Sequence, residues 1–168
     1  HMELRHHADY GLNLPSRTGK VTFWLPLPEN PDDLWRSFQP KVRAQIKRGQ
    51  GETSELVIGG AELIEEFYRV FARNMRDLGT PVYDKAFFLG LLDALGEKAQ
   101  LVIARNDEKP VGCAFITGFR GRMEIPWAST LREFNHTGVN MAMYWHILEF
   151  AVNSGYKVFD FGRCSRDA

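Results

Sequence analysis

The stretch that decides the fold is residues 100–130, which read QLVIARNDEKPVGCAFITGFRGRMEIPWAST. It contains three apolar runs of strand length, separated by two short polar segments that contain Pro or Gly. The predicted strands are 100–105, 111–119 and 123–130. Because connections this short join antiparallel neighbours, we expect a three-stranded antiparallel meander.

The segment that follows predicts a crossover. Apolar residues nearly encircle a predicted helix at 138–154, which indicates a helix that is buried on most sides. The run VFDFG at 158–162 is a further strand. A strand, a crossover helix and a strand in one sheet imply a parallel, right-handed connection, so 158–162 should run parallel to 123–130.

Upstream, alternation from Val21 to Leu27 predicts a strand. Asn30 caps a predicted helix at 32–38, and a second helix runs from about 40 to 48, where Gly49 stops it. A short strand is expected at 55–58. Two amphipathic helices follow, one ending at Gly79 and one running from Asp84 to Gly96. Their predicted inward residues are Leu63, Ile64, Phe67, Val70, Phe71, Met75 and Leu78, and Phe87, Phe88, Leu91, Leu92 and Leu95.

The predicted order is therefore β-α-α-β-α-α-β-β-β-α-β. This order matches the acyl-CoA N-acyltransferase (GNAT-like) core, in which the substrates meet where two strands splay apart. We expect an α+β fold with a mixed, mostly antiparallel sheet and flanking helices, truncated at the C-terminal strands. Residues 1–19 are expected to be a tag remnant and lead-in, and 20–168 a single incomplete acyltransferase domain.

Composition narrows the function classes. Lys plus Arg and Asp plus Glu number 21 each, so the formal net charge is zero, and any nucleic acid or anionic membrane must meet a local basic patch. No apolar run approaches the roughly 20 residues of a membrane-spanning helix. Neither the two cysteines nor His6-His7 form a convincing metal site, and we expect no metal and a cytoplasmic protein. His1-Met2 is interpreted as a cloning scar.

Several short motifs resemble the FemAB family, and a subgroup of it associated with PEP-CTERM/exosortase systems. They occur in the family's order over about residues 20–165. The motifs are Leu27-Pro28, Leu34-Trp35, Lys41-Val42-Arg43, Ile46-Lys47-Arg48, the run 71–83, Pro126-Trp127-Ala128-Ser129, 131–135, Asn140-Met141, Tyr144-Trp145 and 159–163.

The resemblance implies an enzyme that transfers an aminoacyl group to an amine. In the characterised branch the donor is aminoacyl-tRNA and the acceptor is a peptidoglycan precursor. The family has two such modules and continues after the Asp-Phe-Gly strand into a Gly-x-x-x-Phe-Lys segment, which this sequence lacks, so the fragment is expected to be inactive or incomplete. No bound cofactor is expected beyond the acyl donor. The oligomeric state stays open.

Two alternatives remain. One is a non-catalytic module that binds an anionic ligand, and the other is an acyl-CoA-dependent N-acyltransferase. Acetyl-CoA-using relatives carry an Arg/Gln-x-x-Gly-x-Gly/Ala turn before the long helix. The sequence has His136-Thr137-Gly138-Val139-Asn140 there, which weakens the acyl-CoA alternative.

Asp160 is the candidate catalytic residue. It lies in an apolar strand beside Arg163, and a buried carboxylate needs a partner or a shifted pKa. Alternation places it on one face of its strand with Val158 and Gly162, toward the predicted gap, with Phe159 and Phe161 on the other face. It would there accept a proton from the acceptor ammonium. The alternative is a structural salt bridge with Arg163 or another Arg.

The candidate substrate-binding residues come from several segments, and a structural role is the alternative for each of them. The cations of the second helix would bind phosphate groups; the alternative is that they form a solvent-exposed basic face with no ligand. Asn140 would bind an anion at a helix start or cap it. Alternation puts Glu124, Pro126 and Ala128 on one strand face and Ile125, Trp127 and Ser129 on the other, with Pro126 breaking the pairing. The full set is Lys41, Arg43, Lys47, Arg73, Asn74, Tyr83, Trp127, Ser129, Asn140, Tyr144 and Arg163.

Overall fold

The computed structural model describes residues 10–16 and 18–166 of the 168-residue chain. The predictions for His1-Met2 and His6-His7 lie outside these residues. A six-stranded sheet has the order β1-β6-β5-β4-β3-β2. Its strands are β1 (Lys20–Pro26), β2 (Glu55–Gly59), β3 (Ala99–Asn106), β4 (Lys109–Phe119), β5 (Arg122–Thr130) and β6 (Val158–Ser165). The α-helices are α1 (Pro31–Ser37), α2 (Pro40–Gly51), α3 (Ile64–Asp77), α4 (Lys85–Leu95) and α5 (Val139–Asn153).

The meander and the crossover are confirmed. Strands β3, β4 and β5 pair antiparallel in sequence order. Helix α5 packs on all three, and β6 runs parallel to β5. The mixed sheet with flanking helices is the GNAT fold, as the order of elements predicted.

Strand β1 takes a place that the sequence did not predict. It lies at the sheet edge, antiparallel to β6, with Val21 opposite Cys164 and Leu25 opposite Phe159. Alternation shows that a segment is a strand, but the partner across some 140 residues of chain is set by tertiary packing.

Helix α2 is longer than expected. It runs to Gly51 rather than stopping at Gly49. Gly49 is buried, and a Cβ atom there would stand 2.0 Å from the carbonyl oxygen of Gly138. The glycine therefore permits close contact with the start of α5 and does not end the helix.

Helices cover both faces of the sheet and enclose two apolar clusters. One cluster lies under α1, α2 and α5 and includes Leu34, Ile46, Met143, Ile147 and Phe159. The other lies under α3 and α4 and includes Phe67, Val70, Phe88, Leu101 and Phe115. No helix among the described residues is long and apolar enough to cross a membrane.

Three of the residues expected to point inward are exposed. Leu78 is 65% exposed, Phe87 40% and Leu95 38%. Leu78 and Leu95 are at the ends of α3 and α4, where the sheet no longer lies beneath the helix. Phe87 lies in the first turn of α4 and stacks on Tyr83 instead.

Candidate active site where two parallel strands diverge

The candidate site is the opening between β5 and β6. These strands are paired only from Arg122 opposite Val158 to Glu124 opposite Asp160. Beyond this point β5 stays with β4, whereas β6 continues along β1. The gap that results is the splay that the order of elements predicted.

A bulge in each strand lies where the opening begins. On β5, Ile125 and Pro126 together oppose one residue of β4, which confirms the expected break in pairing at Pro126. On β6, Phe161 and Gly162 together oppose one residue of β1. Gly162 has φ +79°, and a Cβ there would stand 3.3 Å from the carbonyl oxygen of Ile125. Glycine thus lets the two bulged backbones approach each other.

The bulge overturns the predicted face assignment along β5. Ile125 packs in the cluster under α5, whereas Trp127 packs in the cluster under α3 and α4. Simple alternation had placed these two residues on one face. Because a bulge adds one residue, every side chain after it changes face.

Backbone groups of β5 point into the opening. The N–H of Leu131 donates to the carbonyl oxygen of Val111 at 2.8 Å. Hydrogen-bonded pairs alternate along an antiparallel ladder, so Ser129 and Trp127 direct their backbone groups toward β4. The N–H groups of Ala128 and Thr130 therefore point the other way, into the gap. Such paired donors can hold the oxygen of an acyl group as negative charge develops on it.

The wall on the α3 and α4 side brings four predicted site residues together. The Asn74 Nδ2 donates to the Ser129 Oγ at 3.0 Å. Ring centroids of Tyr83 and Trp127 lie 6.0 Å apart, with Phe87 stacked on Tyr83 at 4.8 Å. The resulting wall combines an amide, a hydroxyl and an aromatic surface.

Arg73 lies near this wall but makes an ion pair. Its guanidinium contacts the Glu133 carboxylate at 2.8 Å. On the same helix, Asp77 contacts the Arg76 guanidinium at 3.6 Å. The substrate-binding role of Arg73 stays a prediction.

The wall on the α5 side is aromatic. Tyr144 stacks on Phe161 at 6.1 Å, and Phe161 packs edge-on against Phe159 at 4.9 Å. Phe159 and Phe161 thus share a face, as alternation predicted. Burial raises the pKa of the Tyr144 hydroxyl, which therefore stays protonated at neutral pH.

Asp160 is held by donors from β1 and from its own strand. Its carboxylate accepts hydrogen bonds from the Thr22 hydroxyl, from the Trp24 Nε1 at 2.7 Å and from the Gly162 N–H at 2.9 Å. The residue is 2% exposed. This geometry corresponds to the structural alternative, with Thr22 and Trp24 as the side-chain donors where an Arg was expected.

The ionisation of Asp160 agrees with that geometry. Burial by itself would raise the pKa of Asp160. The hydrogen bonds from Thr22, Gly162 and Trp24 and the charge of Arg122 outweigh burial and hold the pKa below its usual range. A carboxylate with a lowered pKa is a weak proton acceptor, so the catalytic role of Asp160 stays a prediction with little support from its surroundings.

The N-terminus of α5 is largely covered. Thr137 is buried, and its Oγ1 donates to the Phe134 carbonyl at 2.7 Å and accepts from the Val139 N–H at 3.3 Å. Gly138, with φ +86°, packs against α2. Asn140 is exposed in the first turn, where its anion-binding role stays a prediction.

The cations of α2 do not share one face. Helical spacing puts Arg43 and Lys47 on one side and Lys41 with Arg48 on another, around a packing face formed by Ile46 and Gly49. This helix therefore does not form a single binding site with four positive charges.

The exposed Arg163, opposite Thr22 on β1, lies on the same sheet face as Asp160.

Two cavities of the described part of the chain lie outside the opening. One of about 340 Å³ lies between β1 and α1, and one of about 460 Å³ lies between β2, β3 and α5. Neither is lined by a predicted site residue.

The residues that sequence analysis missed are Thr22, Trp24 and Arg122, which surround Asp160. The alternation of β1 gave the only signal for the first two.

Comparison with known proteins agrees with this geometry. The acetyltransferase (GNAT) domain family matches residues 36–167. No curated protein sequence matches the chain. The crystal structure of FemX is similar, with a TM-score of 0.77, 13% identity, and coverage of 88% of this chain and 54% of FemX.

Two other solved structures share the fold. The C-terminal domain of a protein assigned as a lysylphosphatidylglycerol synthetase from Agrobacterium fabrum has a TM-score of 0.64 and 12% identity, covering 88% of this chain and 49% of that one. An aminoglycoside acetyltransferase from an uncultured soil metagenomic sample has a TM-score of 0.53 and 11% identity, covering 61% of this chain and 72% of that one. The chain spans about half the length of the first two structures. Since the family match covers more than half of its length, the chain belongs to the acetyltransferase (GNAT) domain family.

Proposed function

We propose that this GNAT-type acyltransferase domain is of the FemAB type and transfers an aminoacyl group to an amine. The donor would be aminoacyl-tRNA, and the acceptor a peptidoglycan precursor or another cell-envelope amine in the cytoplasm. The observation that carries the proposal is the opening between β5 and β6, where the N–H groups of Ala128 and Thr130 meet the two aromatic walls.

The chemistry requires little from side chains. The neutral acceptor amine attacks the ester carbonyl of the donor, forming a C–N bond. The carbonyl oxygen becomes negative in the tetrahedral intermediate and is stabilised by the backbone N–H groups of β5. The C–O ester bond then breaks, the amine loses a proton and the ribose hydroxyl leaves with one.

The covered start of α5 favours aminoacyl-tRNA over acyl-CoA as the donor. A helix N-terminus binds a pyrophosphate through free N–H groups. Here the Val139 N–H bonds to Thr137, and Gly138 is packed against α2. The fold similarity to FemX supports the same choice, since FemX matches over 88% of this chain.

The acyl-CoA alternative retains the support of the family itself and of the similarity to an aminoglycoside acetyltransferase. A donor panel separates the two. The full-length protein that contains this domain is incubated with labelled aminoacyl-tRNA or labelled acetyl-CoA and with amine acceptors, including a nucleotide-linked peptide. Mass spectrometry of the products should show an added aminoacyl group. An acetylated product alone would establish the acyl-CoA alternative. No product with either donor would favour a non-catalytic module that binds an anion on α2, where Arg43 and Lys47 share one side.

A backbone substitution tests the oxyanion donors. Ala128→Pro removes an N–H that points into the opening and leaves the bonds to β4 intact, because neighbouring Trp127 and Ser129 supply them. We expect the rate of transfer to fall by roughly 10²–10³-fold with little change in thermal midpoint. Thr130→Pro is the matched variant for the second N–H. Unchanged rates in both variants would remove the backbone donors from the mechanism.

A further inference from the structure

One half of the sheet face that carries α3 and α4 is left open to solvent. Directly opposite residues of paired strands share a face, so the register places Phe119, Arg122 and Val158 in one row. The next row contains Glu124, Asp160 and Trp24. Phe119 is 60% exposed and Trp24 49%, and no helix within residues 10–16 and 18–166 covers either ring.

Each exposed ring has an arginine against it. The Arg120 guanidinium lies 5.1 Å from the centroid of Phe119, and that of Arg122 lies 5.1 Å from the centroid of Trp24. Aromatic rings beside arginines on an open sheet form a surface on which unpaired bases stack while phosphates meet the cations.

Further cations extend this surface. Lys20 lies two residues before Thr22 on β1, and Arg163 lies opposite Thr22 on β6. Against these positive groups, the face carries the exposed Glu124 and the buried, hydrogen-bonded Asp160. A chain with no net charge thus concentrates positive charge on one face.

The surface leads to the opening. The row of Glu124 and Asp160 is the last paired row before β5 and β6 diverge. From standard strand spacings, Phe119 and Trp24 are roughly 16 Å apart, a span that a few unstacked nucleotides cover. An unpaired nucleic-acid strand bound across this face would have its end at the gap between the β5 and β6 bulges.

We propose that this open face, formed by Phe119, Arg120, Arg122, Trp24 and Arg163, binds single-stranded RNA. The RNA would be the unpaired 3′ end of the donor, and that identification rests on the proposed function. Binding of single-stranded RNA to the face does not rest on it. An anionic membrane is disfavoured, because an arginine lies against each of these two exposed rings, which breaks up the apolar surface.

A binding titration tests the face. The probe is a fluorescein-labelled RNA of about 12 nucleotides that ends in CCA, titrated at about 50 and 200 mM salt. We expect the double variant Phe119→Ser with Arg122→Gln to lose at least about tenfold in affinity, and Arg122→Gln alone to reduce the salt dependence by about one charge. The matched control is Lys109→Gln, which removes one exposed cation at the β3–β4 turn, at the end of the meander away from Phe119. The substituted side chains of the double variant are not core residues, and circular dichroism checks that each variant is folded.

Equal affinity in the double variant and the wild type would overturn the proposal. Failure of the wild type to bind RNA at the lower salt, or binding only to vesicles of equimolar phosphatidylglycerol and phosphatidylcholine, would do the same. The transfer assay separates the two proposals. RNA binding that depends on the face without any aminoacyl transfer supports this inference and contradicts the proposed function. If the double variant transfers the aminoacyl group as fast as the wild type, that result supports the proposed function and contradicts RNA binding by this face.

Discussion

The two strands that bound the opening are held in place differently. Strand β5 is fixed on one side by a long ladder to β4 and on both faces by packed helices. Strand β6 makes only a short parallel pairing to β5 and depends on the edge strand β1, to which Asp160 ties it through Thr22 and Trp24. One wall is therefore held by a long ladder and by helices on both faces, whereas the other is held by an edge strand to which one buried carboxylate ties it.

The largest effect should come from Asp160→Ala. Removal of the carboxylate leaves the Trp24 N–H, the Thr22 hydroxyl and the Gly162 N–H without their acceptor, which should lower the free energy of unfolding by about 3 kcal/mol. Urea denaturation measures this. The control is Asp93→Asn on α4, an exposed carboxylate whose change should alter stability by less than about 0.5 kcal/mol.

Asp160→Asn separates the two roles of this residue. A structural carboxylate predicts that transfer activity follows the folded fraction, because only the wall is disturbed. A general base predicts a loss of roughly 10²–10⁴-fold with a near-normal melting temperature. The latter result would show that Asp160 acts as a general base despite the hydrogen bonds that hold its carboxylate.

The pH dependence of stability follows from the lowered pKa of Asp160. A carboxyl whose folded pKa is lowered stabilises the fold fully above its unfolded pKa, near 4, and loses that contribution as pH falls through the folded pKa. Urea midpoints should therefore decrease below about pH 4 more steeply for wild type than for Asp160→Asn. Parallel curves would mean that the carboxylate does not hold the β1–β6 edge.

On the β5 side, a smaller effect is expected at the hydrogen bond between Asn74 and Ser129. Their double-mutant cycle to Ala should give a coupling of about 1 kcal/mol in unfolding free energy, since the 3.0 Å bond is partly buried. A coupling near zero would show that the bond does not connect α3 to β5. Kinetics of the same variants then report whether this pair contacts substrate.

The smallest effect should be that of Arg122→Gln on stability. The guanidinium lies on the Trp24 ring and near Asp160, and its loss should cost about 0.5–1 kcal/mol. Combining it with Asp160→Asn should give less than the sum of the two losses, because the charge of Arg122 acts partly through that carboxylate. If the two losses of stability add exactly, Arg122 and Asp160 do not interact, and Arg122 does not help to hold β1 against β6.

Much of the site followed from local patterns. Pro126 predicted a break in β5, and the crossover helix predicted that β6 would run parallel to β5. The side chains beside Asp160 did not follow, because Thr22 and Trp24 lie nearly 140 residues away and sequence pattern does not identify a partner at that separation. One of the two interpretations of Asp160 was a salt bridge with Arg163 or another Arg, yet the Gly162 bulge and β1 supply its hydrogen bonds.

The sequence by itself determined the order of strands and helices, the antiparallel meander, the crossover through α5 and hence the acyltransferase fold. These depend on periodicity and on connection length, which are local properties of the chain. Only the tertiary structure decided that β1 closes the edge beside β6, that Gly49 serves a helix contact, and that the β5 bulge turns Ile125 and Trp127 to opposite faces. Those outcomes depend on strand register and on close packing between segments that are distant in the chain. A shift of register by one residue moves every side chain of a strand to the other face, and the local sequence pattern does not specify the register.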